Sequence, residues 1–169
     1  MKKVLLGMLV SLLILSAFDS LQVQAKEYEM KPTFANNLKK GTLPGAQGKV
    51  GSLKKNLKLK NREGYWIDPV LKKYTLSEDT YAFRSSKVVS IDRTYSYLIS
   101  NASIRKYFGK ELNWYGTSES FGRLHWSFYK AGKYYIGVYK FSSSSDIYTT
   151  IVVGNKKAIK DYHELYISF

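Results

Sequence analysis

The clearest alternation of hydrophobic and polar positions lies between residues 130 and 154. Residues 134–139 alternate two sets of side chains with a period of two, which is typical of a strand with one buried face. Residues 142–146 are four serines and an aspartate, and short polar side chains of this kind favour a loop. Residues 147–153 return to β-branched and aromatic side chains. The stretch therefore predicts a β-hairpin.

The rest of the chain repeats this pattern in short pieces that are bounded by polar or turn-forming residues. Leu53, Leu57 and Leu59, set among lysines, predict a first strand with its lysines outward. Only residues 100–109 predict a helix, and residues 162–169 predict a last strand or short helix. Further strands are predicted at 65–71, 74–76, 80–83, 87–91, 94–99, 112–115 and 124–129. Short strands at such spacing indicate an all-β sandwich or a small barrel.

Three segments differ in composition. Residues 1–25 combine Lys2 and Lys3 with an apolar run and end in Val23-Gln24-Ala25, which predicts a secretory signal peptide. The run is shorter than the roughly 20 residues that a membrane-spanning helix needs, although an uncleaved anchor is the competing interpretation. Residues 26–51 are rich in proline and glycine and predict an extended basic arm. Residues 52–169 are predicted to form the β-sandwich domain. The protein is predicted to be secreted and extracellular, with a mature form that begins at Lys26.

The net charge and the absence of cysteine limit the functions that this chain can have. The chain has no cysteine, which excludes thiol catalysis and cysteine-ligated metals, and its net charge is +14. From residue 30 to residue 62 there are nine lysines and arginines and no acidic residue. Such an excess favours a polyanionic partner such as wall teichoic acid, anionic lipid or nucleic acid. The lysine-rich, tyrosine-rich and cysteine-free composition agrees with a Gram-positive bacterial source.

The candidates for catalysis are few. The only two histidines, His125 and His163, have no metal-binding spacing, and no nucleophile motif is present, so we predict no catalytic, cofactor or metal site. His125, on a predicted strand, is expected to face solvent or to be hydrogen-bonded. One enzymatic alternative is a small basic secreted ribonuclease with a C-terminal histidine. Its residues would be His163 as acid, Glu111 or Glu119 as base, and Arg105 or Arg123 to hold the phosphate.

Fifteen tyrosines, eight phenylalanines and three tryptophans give the chain a heavy aromatic load. In alternating strands about half of them face outward, where rings among lysines suit glycan stacking or protein contact. The main hypothesis is therefore a non-enzymatic binding protein of the bacterial cell wall or envelope, with an anionic polymer or glycan as its partner. Trp114 and Tyr115 are further candidates, and the alternative is that the aromatic rings fill a core that has little leucine and valine. The predicted binding residues are Lys54, Lys55, Lys58, Lys60, Arg62, Tyr65, Trp66, Trp126, Tyr135 and Tyr139.

The hairpin carries a family resemblance. Residues 131–138, AGKYYIGV, resemble the A-G-x-Y-x-V-x-V run that opens the penultimate strand of many bacterial immunoglobulin-like domains, with Tyr134 in the tyrosine-corner position. The chain resembles small uncharacterised secreted proteins of Gram-positive bacteria with this fold. The resemblance implies a single immunoglobulin-like sandwich of about seven to nine short antiparallel strands, and it implies no reaction.

A second resemblance uses some of the same residues. Residues 64–68, GYWID, and residues 132–137, GKYYIG, are similar to strands of bacterial SH3-like wall-binding modules. The second copy has tyrosine where those modules usually have tryptophan. This resemblance implies an SH3-like small barrel as the alternative fold.

Overall fold

The computed structural model describes residues 27–59, 65–66, 72–76, 78–119 and 122–167, of which 65–66, 119 and 162–167 are described in backbone only. The strands are β1 (Glu27–Tyr28), β2 (Tyr65–Trp66), β3 (Lys72–Leu76), β4 (Asp79–Arg84), β5 (Lys87–Tyr95), β6 (Leu98–Ile99), β7 (Asn113–Glu119), β8 (Gly122–Ala131), β9 (Tyr134–Ser142) and β10 (Ile147–Gly154). The helices are α1 (Pro32–Lys39), α2 (Asn101–Phe108) and α3 (Lys156–Ile167).

The predicted fold class is confirmed as an all-β, sandwich-like fold. Eight strands form one antiparallel sheet in the order β2-β3-β4-β5-β10-β9-β8-β7, and β1 pairs in parallel with β6 in a second, two-stranded sheet. The large sheet consists of two four-stranded meanders that join where β5 pairs with β10. Immunoglobulin domains divide their strands between two sheets with Greek-key connections. The resemblance to that family stays a prediction.

The hairpin forms as predicted and lies next to the junction of the two meanders. Ile136 pairs with Val153 and Val138 pairs with Ile151, so these four side chains lie on one face of the sheet. A two-residue turn joins β8 to β9, and its Gly132 has a φ of +64°, which a residue without Cβ adopts at little cost.

The prediction of an extended arm over residues 26–51 is wrong for residues 32–39, which form α1. Pro32 occupies the first turn, where its missing N–H breaks no hydrogen bond. Ala35, Leu38 and Leu43 are buried in the main core. After α1 the chain reverses at Gly41 (φ +76°), where a Cβ would lie 2.6 Å from the ring of Tyr134. The segment thus packs against the sheet instead of extending from it.

The predicted first strand at Leu53–Leu59 is also wrong. Residues Lys54–Asn56 form a 3₁₀ turn, and only Leu53 makes an isolated bridge, to Lys87. Leu57 and Leu59 keep the alternation that suggested a strand, but their backbone N–H groups donate to the nearby carbonyls of Lys54 and Leu57. The turn buries Leu57 and Leu59 in the core and leaves Leu53 exposed.

The two faces of the large sheet have different covers. On the face that bears Ile136, Val138 and Ile151, residues 30–59 and α2 complete the main core. On the other face α3 places Ala158 against Ala82 and Val89, and Ile159 joins the cluster of Trp126, Phe128 and Val152. Burial of apolar area on both faces is the main stabilising contribution, at roughly 25 cal/mol per Å².

The last described element is the helix α3, which agrees with the helical one of the two alternatives predicted for residues 162–169 but begins earlier, at Lys156. Its start is marked by Asn155, whose side-chain Oδ1 accepts a hydrogen bond from the backbone N–H of Ala158 at 2.8 Å. α2 begins in a similar way, because the hydroxyl of Ser100 accepts from the N–H of Ser103. None of the helices in the described part of the chain is long and apolar enough to cross a membrane.

Candidate binding surface

Residues 30–59 contain seven lysines and no acidic residue, and we call the outer side of this segment the basic layer. Its apolar side chains point into the core, so its lysines are left on the outside. Leu38 is fully buried while the next residues, Lys39 and Lys40, are exposed. The exposed lysines of the basic layer are Lys31, Lys39, Lys40, Lys49, Lys55 and Lys58.

Six acidic side chains of the described residues form ion pairs outside the basic layer, and the exposed Glu29 directly precedes the layer. Asp79 accepts from Arg93 at 2.8 Å, and Asp92 pairs with Lys73 at 3.2 Å, both on the large sheet. Asp161 on α3 lies 2.8 Å from Arg84. Within the described ranges no ion pair joins a lysine of the basic layer to a carboxylate. The layer therefore presents uncompensated positive charge.

Lys54 differs from its neighbours because its side chain is held within the molecule. Its ammonium donates a hydrogen bond to the hydroxyl of Tyr74 and lies 3.8 Å from the centre of that ring. This hydrogen bond lowers the pKa of the Tyr74 phenol. Lys54 is only half-exposed, and its contacts with Tyr74 hold residues 54–56 against the sheet.

The ten predicted binding residues do not form one surface. Lys55 and Lys58 lie exposed in the basic layer, whereas Lys60 and Arg62 lie outside the described residues. Tyr65 and Trp66 form the edge strand β2, and only their backbone is described.

The remaining three, Trp126, Tyr135 and Tyr139, lie on the opposite face of the sheet from the basic layer, because they alternate with Tyr129, Ile136 and Val138 of the main core. The prediction that Trp126 is an exposed binding residue is wrong. It is 1% exposed and packs against Tyr139 at 4.5 Å and Phe128 at 6.0 Å between ring centres. Alternation alone could not identify this second core, since it depends on α3 covering that face.

In the meander that β7, β8, β9 and β10 form, the exposed aromatic side chains belong to the edge strand β7. Trp114 is 61% exposed and Tyr115 is 43% exposed, and they point to opposite faces. Trp114 stacks on His125 of β8, with ring centres 6.0 Å apart and planes 18° apart. His125 is half-buried, and burial, together with the charge of Lys140, lowers its pKa.

Lys140 is a buried cation that the sequence analysis did not single out. It is 6% exposed, its Nζ has no hydrogen-bond partner among the described residues, and its nearest carboxylate is Glu27 at 3.8 Å. Burial lowers the pKa of the amine, and Glu27 opposes that shift. A signal for its burial was present, because Lys140 follows Ile136 and Val138 at the period of a strand.

The residues of the ribonuclease alternative are dispersed. The guanidinium of Arg105 donates hydrogen bonds to both carboxylate oxygens of Glu111, at 2.9 and 2.6 Å. The two side chains are therefore already engaged with each other. Arg123 is exposed on β8, and the side chains of Glu119 and His163 lie outside the described residues. His163 belongs to the helix α3. Among the described side chains no three potential ligands could hold a metal ion.

Comparison with protein-family models, with curated proteins and with solved structures gave no match for this chain.

Proposed function

We propose that this chain is an exported, non-enzymatic binding protein of the bacterial cell wall or envelope, and that its basic layer attaches it to an anionic polymer. The proposal rests first on one observation: six exposed lysines lie on a segment without any acidic residue, and no ion pair among the described residues joins one of them to a carboxylate. Uncompensated charge of one sign concentrates a polymer of the opposite sign at that surface.

The packing of the basic layer supports a binding role over a role in solubility alone. A flexible arm would lose conformational freedom on binding, at a cost of about 1–2 kcal/mol for each residue that becomes ordered. Here Ala35, Leu38, Leu43, Leu57 and Leu59 fix the segment to the core before any ligand arrives. The lysines are therefore held over the surface in advance, and only their side chains need to be ordered.

The location follows from the predicted signal peptide over residues 1–25, which lies outside the described residues. In the envelope of a Gram-positive bacterium, wall teichoic acid provides phosphate charges at regular intervals. A lysine ammonium is a compact charge that suits such phosphates without demanding a fixed geometry. We therefore propose wall teichoic acid, rather than a neutral glycan, as the partner of the basic layer.

The experiment compares two variants with equal loss of charge. Variant one replaces Lys40, Lys49, Lys55 and Lys58 by glutamine, and the control replaces Lys106, Lys110, Lys130 and Lys156, which are exposed outside the basic layer. Binding of the secreted protein to purified cell walls is measured with and without extraction of teichoic acid.

We expect variant one to lose at least about tenfold in affinity for intact walls, since four weak phosphate contacts of about 0.5 kcal/mol each total more than 1.4 kcal/mol. The control should keep most of its affinity. An equal loss of wall affinity in both variants would show that binding depends on net charge alone and not on the basic layer. Undiminished wall binding by variant one would refute the proposal.

A further inference from the structure

The stack of Trp114 on His125 is built into the sheet. Trp114 and Gly116 are neighbours on the same face of β7, and Gly116 pairs with His125 of β8. A Cβ on Gly116 would lie 3.4 Å from the indole and 3.7 Å from Nδ1 of His125, so both rings lie close over this residue. The imidazole supports one side of the indole, and 61% of Trp114 stays exposed.

This stack lies on the same face of the sheet as the basic layer, because His125 shares the alternation of Tyr129 and Ala131 of the main core. The helix α2 packs on this face as well, because its Ile104 belongs to the main core. At its far end the ammonium of Lys39 in the basic layer lies 5.8 Å from the ring of Phe108. A chain-like ligand could therefore contact both regions from one side of the molecule.

Positive charge surrounds the stack. Arg123 follows on the same face of β8, is exposed, and has no ion-pair partner among the described residues. Lys140 is the β9 partner of His125 and is buried, and its Nζ lies 3.8 Å from the carboxylate of Glu27. The nearby carboxylate of Glu111 is neutralised by Arg105 through two hydrogen bonds.

We infer that Trp114, supported by His125 and flanked by Arg123, is a binding platform for one sugar ring of an anionic glycan. An exposed indole offers a flat apolar face to the C–H face of a sugar, and the arginine offers a fork of donors to a carboxylate or phosphate on the same ring. Leu112, just before β7, is also exposed and adds to the apolar area near the start of that strand. A single-stranded nucleic acid needs successive stacking platforms, whereas β7 and β8 present one exposed indole here.

The inference rests on the proposed function and adds to it a second contact that recognises rings rather than charge alone. Two probes separate the contacts: hyaluronate oligosaccharides, which combine sugar rings with carboxylates, and polyphosphate, which has charge and no rings. The variants are Trp114→Ala and Arg123→Gln. Tyr115→Ala is the matched control, because Tyr115 is the next residue, is also exposed, and points to the other face.

We expect Trp114→Ala to weaken hyaluronate binding by on the order of tenfold, as removal of one stacking ring does, and to leave polyphosphate binding within about twofold. Arg123→Gln should weaken hyaluronate binding by a smaller factor, and Tyr115→Ala should change neither. Thermal unfolding is measured in parallel, since Trp114 is exposed and its removal should leave the fold intact.

If hyaluronate and polyphosphate both bind and Trp114→Ala affects neither, the platform is refuted while the proposed function stands. If neither polymer binds the unchanged protein, the proposed function and the platform are both refuted. If a thymidine oligonucleotide binds more tightly than hyaluronate and depends on Trp114, the ligand is nucleic acid and the glycan assignment is wrong.

Discussion

Replacement of Lys140 by methionine should stabilise the protein. Lys140 is 6% exposed in the middle of β9, between His125 on β8 and Thr149 on β10, and its Nζ makes no hydrogen bond to a described residue. Desolvation of an ammonium costs several kcal/mol even after the protein relaxes around it. Methionine has a similar length, no charge, and enough flexibility to fill the same space.

The attraction to Glu27 offsets only part of this cost. At 3.8 Å a pair of unit charges gains about 4 kcal/mol at an effective dielectric of ~20 and about 1 kcal/mol in water. The side chain of Glu27 is 48% exposed, so solvent screens the pair towards the lower figure. Replacement of such a buried ion by an apolar group of similar volume stabilises by about 1–3 kcal/mol. For a chain of this size that corresponds to a rise in Tm of roughly 3–10 °C.

The effect should depend on pH with a definite sign. Burial lowers the pKa of Lys140 below its ordinary value of 10.5, so between the two values the unfolded chain binds more protons than the folded one. Stability of the unchanged protein therefore gains from this group as pH rises through that window, and the gain is absent in Lys140→Met. The buried tyrosines titrate alike in both proteins, so the difference in stability between them should narrow as pH rises from 7 towards 10.

Urea denaturation at pH 7 and at pH 9.5 measures both effects. Glu27→Gln is the matched control, because it keeps the ammonium and removes its counter-charge, and it should destabilise by up to about 1 kcal/mol. A loss of more than 1 kcal/mol in Lys140→Met at pH 7, with an unchanged m-value, would refute the reasoning, since the ammonium would then contribute more than its burial costs.

Two further predictions concern processing and activity. The secreted form should begin at Lys26, because residues 1–25 carry the features of a cleaved signal peptide; intact mass decides this, and a membrane-bound species that retains Met1 would contradict it. The purified protein should not cleave RNA in a fluorogenic assay, because Arg105 and Glu111 are engaged with each other. Cleavage that disappears in His163→Ala, with the fold retained, would support the ribonuclease alternative instead.

The parts of the fold that local sequence decides were predicted well. Strands β9 and β10 combine strict alternation with a serine-rich loop of their own, so their pairing needs no information from distant residues. α2 has both its cap, Ser100, and its terminating Gly109 in the sequence. The capping residue Asn155 was equally visible, and α3 could have been predicted from it.

The parts that depend on tertiary contacts were not predicted. Residues 32–39 contain a proline and two asparagines, which suggest a loop, yet Ala35 and Leu38 are buried in the core against the sheet. Trp126 looked like a surface residue because one face of a sheet was assumed to meet solvent, and α3 covers that face. Tertiary packing overrides local secondary-structure propensity where a large apolar surface must be buried.

The candidate site was predicted in part. The acid-free interval identified the lysines of the basic layer from composition alone, and Lys55 and Lys58 are exposed as expected. The sequence could not indicate that Lys54 is held by Tyr74, or that Trp114 rests on His125, since both contacts join separate elements. Strand register is what brings such residues together, and a shift of one residue would reverse every face.

The dependence of polymer binding on salt tests the central claim most directly. Affinity for a poly(glycerol phosphate) chain is measured between 50 and ~300 mM salt for the unchanged protein, the four-lysine variant of the basic layer and its charge-matched control. Contacts to phosphates release counterions, and each contributes about 0.7 to the slope of log affinity against log salt for a flexible strand. We predict a steep fall for the unchanged protein and the control, and a slope shallower by up to about 3 for the variant. A slope near zero in all three proteins, or the same slope in the variant as in the control, would contradict attachment through the basic layer.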